Sequence, residues 1–151
     1  MATERSEVPI HGFRALVVDD SQIARYLLSG RLADLGFTVE VSDSAEAAIS
    51  ALSGLLPDIV FMDHLLPGMN GLEAVANLRA QARTAQMPIV MYTSQDGEEF
   101  AAKARQAGAN DVYTKTAVRG RLENILRGLA LLPPAPAATQ DSGNVVTMNQ
   151  K

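Results

Sequence analysis

The chain has 151 residues, 47% of them hydrophobic and 20% charged, and a net charge of -4. That is material for one compact domain with a sizeable core, and it argues against a disordered chain and against a nucleic-acid binder. No cysteine is present for disulfides, thiolate zinc or thiol catalysis, and no apolar stretch approaches the ~20 residues of a membrane span.

Residues 1–12 are polar and lack the apolar core of a signal peptide, so they read as a lead-in to a soluble cytoplasmic protein. Ala15–Val18 is a short apolar strand ending on Asp19 and Asp20. Ser21 follows as a helix N-cap, Leu27, Leu28, Leu32 and Leu35 give that helix an apolar face, and Gly36 ends it. Thr38–Val41 is a second strand. Ser44 caps a second helix, in which Ala45, Ala48, Ile49 and Leu52 recur at i, i+3, i+4 and i+7 before Gly54 and Pro57 stop it.

Ile59–Met62 is apolar throughout, the pattern of a strand buried on both faces, and it stops on Asp63. Pro67, Gly68, Asn70 and Gly71 then force a turn, and a third helix from Gly71 to about Ala82 carries Leu72, Val75 and Leu78 inward. Pro88 opens a fourth strand, Ile89–Tyr92, with Thr93 and Ser94 at its end. A fourth helix runs from about Gly97 to Ala107 with Phe100 as its large apolar residue, and Gly108 terminates it. Asp111–Thr114 is a weaker fifth strand ending on Lys115. The last helix shows Leu122, Ile125, Leu126 and Leu129 on one face. From Pro133 the composition turns to proline and small polar residues, so residues 13–132 form the domain and 133–151 a disordered tail, with Val145–Met148 its one short apolar piece.

Five strands alternating with five helices predict an α/β fold built of βαβ units, a parallel sheet with both faces covered. In the flavodoxin-like, doubly wound order 2-1-3-4-5, the ends of strands one and three flank the topological switch point, where ligands bind in such sheets. Asp19, Asp20, Asp63, Thr93 and Lys115 would then share one rim. Carboxylates packed this closely repel one another, and a hard divalent cation held by oxygen ligands, Mg²⁺, relieves them. Lys115 adds a second counter-charge, worth about 4 kcal/mol at ~4 Å and an effective dielectric of ~20 before desolvation. With its charge offset, Asp63 can attack a phosphoryl group, and Thr93 can donate to a phosphoryl oxygen.

Those residues, with Leu66-Pro67-Gly68-Met69-Asn70-Gly71 after Asp63, make the chain resemble a response-regulator receiver domain of two-component signalling, of the stand-alone chemotaxis-regulator kind. The resemblance implies that Asp63 accepts a phosphoryl group from a histidine kinase or phosphotransfer protein. It also implies that Asp20, Asp63 and the Leu65 backbone carbonyl bind Mg²⁺, with Asp19 acting largely through water, and that Thr93 and Lys115 contact the phosphoryl group. No output domain is expected after Leu132, so output is expected through a protein-binding surface on the loops after strands three and four and on the face made by the last two helices and strand five. The same surface could pair two copies of the chain.

Two positions depart from the family pattern. Thr116 stands where proline, with a cis bond before it, usually follows the lysine; a trans bond is expected here because a non-proline cis bond costs ~3–4 kcal/mol. Val112 occupies the usual place of an aromatic switch residue, while Tyr113 faces the other way and packs on the sheet. His64 is expected to point away from Asp63 and serve packing, and the apolar Leu65 to shield a phosphoryl group from water. A phosphorylation-independent pseudo-receiver and an aspartyl-phosphate phosphatase of the haloacid-dehalogenase type are the alternatives. The phosphatase pattern, Asp-x-Asp, is not met by Asp63-His64-Leu65.

Overall fold

The structure, a computed structural model, describes residues 12–94 and 98–133. Strands β1 (Arg14–Val18), β2 (Thr38–Ser42), β3 (Ile59–Asp63), β4 (Ile89–Thr93) and β5 (Asp111–Thr114) form one sheet in the order β2-β1-β3-β4-β5, all pairs parallel. The expected flavodoxin-like order is thus met. Every residue of β3 and β4 is buried, as the inner strands of a parallel sheet require, whereas the edge strand β2 leaves Val41 51% exposed.

The helices are α1 (Gln22–Asp34), α2 (Ala45–Ala51), α3 (Gly71–Arg79), α4 (Glu98–Ala107), α5 (Lys115–Gly120) and α6 (Leu122–Gly128). Their starts follow local chemistry. Ser21 and Ser44 accept from the backbone N–H groups of Ala24 and Ala47, and Asn70 forms a reciprocal capping box with Glu73. Gly36, at φ 94°, takes the left-handed position just beyond α1.

The chain divides into two compact units. Met1–Gly120 holds the sheet and α1 to α5. On one face of its sheet Leu16, Val18, Val60, Met62, Ile89 and Met91 pack with Ala45 and Ala48 of α2, Val75 and Leu78 of α3 and Ala104 of α4. Strand alternation turns Val17, Phe61, Val90 and Tyr92 to the other face, where α1 buries Leu28 and Leu32. Arg121–Lys151 contains α6, in which Leu122, Ile125 and Leu126 are buried.

Three expectations need correction. Six helices, not five, occur among the described residues. Thr114 Oγ1 accepts from the Ala117 N–H at 3.1 Å, so a helix begins at once at Lys115, and Arg121, at φ -118° and ψ 19°, interrupts the helical run before α6. The apolar face of α1 is narrower than read, since Leu27 is 43% exposed and lies with Ile23 and Tyr26 on a second, outward stripe. Finally, α3 stops at Arg79 rather than near Ala82. The Ala80 N–H reaches the Ala76 and Asn77 carbonyls and the Thr84 hydroxyl donates to the Leu78 carbonyl, so the last-turn acceptors are satisfied without further helix, while Arg79 turns its guanidinium to the carbonyls of Gly108 and Thr84 beyond it. Residues 1–11, Gly97 and the tail beyond Pro133 lie outside the described residues.

Candidate functional site

The register that pairs Val18 with Met62 and Asp63 with Tyr92 sets the ends of β1, β3 and β4 side by side. Asp19, just past β1, is fully buried; Asp63, the last residue of β3, is 3% exposed; Asp20 is exposed. Ligand oxygens of these three carboxylates lie within 4.8 Å of one another. Lys115, which opens α5, brings Nζ to 3.1 Å from Asp19 Oδ2 and 3.4 Å from Asp63 Oδ2. Thr93 closes β4 and is buried. The rim therefore gathers every residue that the sequence assigned to it. The peptide bond between Lys115 and Thr116 is trans, as is every other among the described residues.

Neighbouring groups tune these charges. Burial, and next the Asp19 charge, push the Asp63 carboxyl up to about 7, against the pull of Lys115. Burial opposes the charge on Lys115, but its bonds to Asp19 and its proximity to Asp63 outweigh that and raise its pKa. One ammonium among three carboxylates leaves the cluster short of positive charge. The donors are all hard oxygens, one of them exposed, and their oxygens are close enough to share an ion. That set fits a partly hydrated Mg²⁺. Asp20 and Asp63 would hold it, because Asp19 is already occupied by protein donors: Ser21 N–H on Oδ1 at 2.9 Å and the Tyr92 hydroxyl on Oδ2 at 2.9 Å.

Tyr92 was not singled out from the sequence. It looks like one more apolar filler of β4, yet it is 2% exposed and its hydroxyl needs a partner, which it finds in Asp19. A usable signal existed. Counting alternation through the strands puts Asp19, Asp63 and Tyr92 on one face, opposite Val18, Met62 and Met91. Glu46 of α2 was also missed; its Oε2 accepts from Met69 N–H at 2.9 Å and pins the loop after β3, which holds its own pKa below the usual value.

His64 serves packing, as expected. Its ring stacks on Phe100 of α4 at 4.1 Å, and burial first, then the Lys103 charge, lowers its pKa. Leu65 is 50% exposed beside the site, and Val112 packs against the core of the sheet. Tyr113 donates to Asp111 Oδ2 at 2.8 Å, a bond within its own strand. A surface groove of about 740 Å³ beside α1, lined by Tyr26, Leu27, Val39 and Arg119 among others, lacks clustered carboxylates and is not this site.

The response regulator receiver domain family matches residues 15–127, so the chain belongs to that family. PilH of Pseudomonas aeruginosa is 32% identical over 102 residues, which cover 68% of this chain and 84% of that protein. The phosphate regulon transcriptional regulatory protein PhoB of Escherichia coli is 30% identical over 102 residues, but the match spans only 44% of its length. Among solved structures, chemotaxis response regulator CheY4 of Vibrio cholerae superposes with a TM-score of 0.72 at 27% identity, covering 79% of this chain and 99% of that one. The receiver domain of the histidine kinase CKI1 from Arabidopsis thaliana, complexed with Mg²⁺ and BeF₃⁻, gives 0.70 at 29% identity, covering 80% and 91%. No helix among the described residues is long and apolar enough to cross a membrane.

Proposed function

We propose that the chain is a response regulator whose Asp63 accepts a phosphoryl group from the phosphohistidine of a histidine kinase or phosphotransfer protein. The observation that carries this is the placement of one nearly buried carboxylate 3.4 Å from an ammonium and within reach of two further carboxylates. An Asp63 oxygen forms the new P–O bond as the P–N bond of the donor breaks, and the electron pair leaves with the imidazole. Lys115 turns to a phosphoryl oxygen and Thr93 donates a hydrogen bond to another. Asp20, Asp63 and the Leu65 carbonyl would hold Mg²⁺, which would neutralise charge on the transferring group.

Access suits a macromolecular donor. The exposed stripe of Ile23, Tyr26 and Leu27 lies on α1, the helix whose N-cap Ser21 follows Asp20, and offers apolar surface for docking. Output runs through a protein-binding face formed by the loops after β3 and β4 and by β5 with the adjoining helices, whose equilibrium phosphorylation shifts. Full switching from 1:99 to 99:1 takes ~5.5 kcal/mol of differential stabilisation, part of it from Lys115 and Thr93. The His64–Phe100 stack ties the residue after Asp63 to α4 and offers a route outward that does not need an aromatic residue at Val112.

Incubation with acetyl phosphate and Mg²⁺ followed by intact mass tests the assignment. One added phosphate in the wild type and none in Asp63→Asn is the expected result. No addition, or addition that survives Asp63→Asn, favours instead a pseudo-receiver that keeps the fold and signals without phosphate.

A further inference from the structure

Asp19 is 0% exposed, and a buried carboxylate is tolerated only while its oxygens are well donated. It takes Ser21 N–H on Oδ1 at 2.9 Å, the Tyr92 hydroxyl on Oδ2 at 2.9 Å, and Lys115 Nζ at 3.1 Å from Oδ2 and 3.4 Å from Oδ1. Lys115 is shared with Asp63, and its ammonium also lies 5.7 Å from the centre of the Tyr92 ring. Tyr92 thus touches both members of the pair, with its hydroxyl on the carboxylate and its ring toward the lysine.

When negative charge accumulates on Asp63, Lys115 is drawn from Asp19 toward it. Without Tyr92 that movement would leave Asp19 Oδ2 in the interior with no described donor. With Tyr92 each oxygen keeps one neutral donor, Ser21 N–H on one and the phenol on the other. We propose that Tyr92 is a positioning residue whose hydroxyl holds the Asp19 carboxylate in place, so that Asp19 remains a fixed anionic wall of the cation site while Lys115 exchanges between Asp19 and Asp63. The exchange presupposes that Asp63 accepts phosphate; the hold on Asp19 does not. Core packing alone gives no reason for a phenol here, since phenylalanine would fill β4 with one atom fewer.

The test uses the full chain as wild type, Tyr92→Phe, Asp19→Asn and the double variant. Mg²⁺ affinity is measured by calorimetry, backbone amides by ¹H–¹⁵N NMR, and acetyl-phosphate uptake by intact mass. Hydrogen bonds to charged groups are strong enough that Tyr92→Phe should weaken Mg²⁺ binding about tenfold. The Ser21 amide, bonded to Asp19, should shift, while the Ala47 amide, bonded to Ser44 in the cap of α2, should stay. In the Asp19→Asn background the same substitution should change Mg²⁺ affinity little. Wild-type Mg²⁺ affinity in Tyr92→Phe, equal shifts of the Ser21 and Ala47 amides, or an undiminished loss in the Asp19→Asn background would each overturn the role. Wild-type protein that binds Mg²⁺ but takes no phosphate overturns the function proposed for Asp63, and the Mg²⁺ and amide measurements still decide Tyr92.

Discussion

Gly71, the first residue of α3, leaves no room for a side chain beneath Asp63: a Cβ built on it would lie 2.2 Å from the Asp63 backbone carbonyl oxygen. The obstacle is backbone, so it cannot rotate away, and the N-terminus of α3 is held hard against the end of β3. The Gly71 N–H donates to the His64 carbonyl at 2.9 Å across the same junction. Gly71→Ala should therefore push Asp63 out of line with Lys115. A loss of about 1–3 kcal/mol in urea-denaturation stability is expected, together with slower phosphate uptake from acetyl phosphate. Stability equal to wild type would mean that the junction yields easily.

The pH dependence of stability follows from Asp63. Burial and the Asp19 charge raise its folded-state pKa from 3.8 to about 7. Between those values the folded chain keeps a proton that the unfolded chain has released, so the unfolded state binds fewer protons and stability falls as pH rises. The contribution is complete below about pH 4 and is lost through pH 7. Metal-free protein in a chelator should be less stable at pH 8 than at pH 5. Asp63→Asn should flatten that slope and gain up to about 4 kcal/mol at pH 8, and added Mg²⁺ should flatten it in the wild type. Denaturation curves that superpose across this range would contradict the electrostatics described for the rim.

Thr114 is the last residue of β5 and also the cap of α5 through its bond to the Ala117 N–H. Thr114→Val keeps the β-branched shape and removes the acceptor. It should cost about 1 kcal/mol, and Lys115, the first residue of α5, should lose definition. The readouts are denaturation stability and the linewidths of the Lys115 and Thr116 amides. A variant as stable as wild type with unchanged amides would show that α5 needs no cap.

Leu65, two residues beyond Asp63, is 50% exposed, and if Asp63 takes a phosphoryl group this apolar side chain is proposed to keep water from it. Leu65→Asn should shorten the lifetime of phosphorylated Asp63 severalfold, because a polar side chain there can orient a water for attack. The decay of the phosphorylated mass after removal of acetyl phosphate measures it. An unchanged lifetime would take the shielding role from Leu65.

Much of this protein is local and could be read one segment at a time. A run of apolar residues that stops on a carboxylate, as at Val18-Asp19 and Met62-Asp63, marks a buried strand and the place where it ends without knowledge of its neighbours. The caps at Ser21 and Ser44 satisfy backbone donors three residues away, so they too are written in short stretches. Where several local effects compete, the periodicity misleads: α3 ends early because the Thr84 hydroxyl reaches its Leu78 carbonyl from the following turn, and Leu27 turns outward because it lies 100° round the helix from Leu28.

Asp63 could be placed at a strand end from its own neighbourhood, and the group that could relieve its charge followed from the other strand ends. Alternation could place Tyr92 on the face of Asp19, but not its contact with that carboxylate. Its hydroxyl meets Asp19 across 73 residues of sequence only because β1, β3 and β4 pair in one register with one phase of alternation. A one-residue slip in that register would send the phenol to the opposite face of the sheet. Apolar periodicity and helix caps are written within a segment, so the amino-acid sequence indicates strands, caps and the chemistry available at each end. Which of those ends touch, and at what distance, is decided by pairing between segments far apart in the chain, and the tertiary structure alone holds that answer.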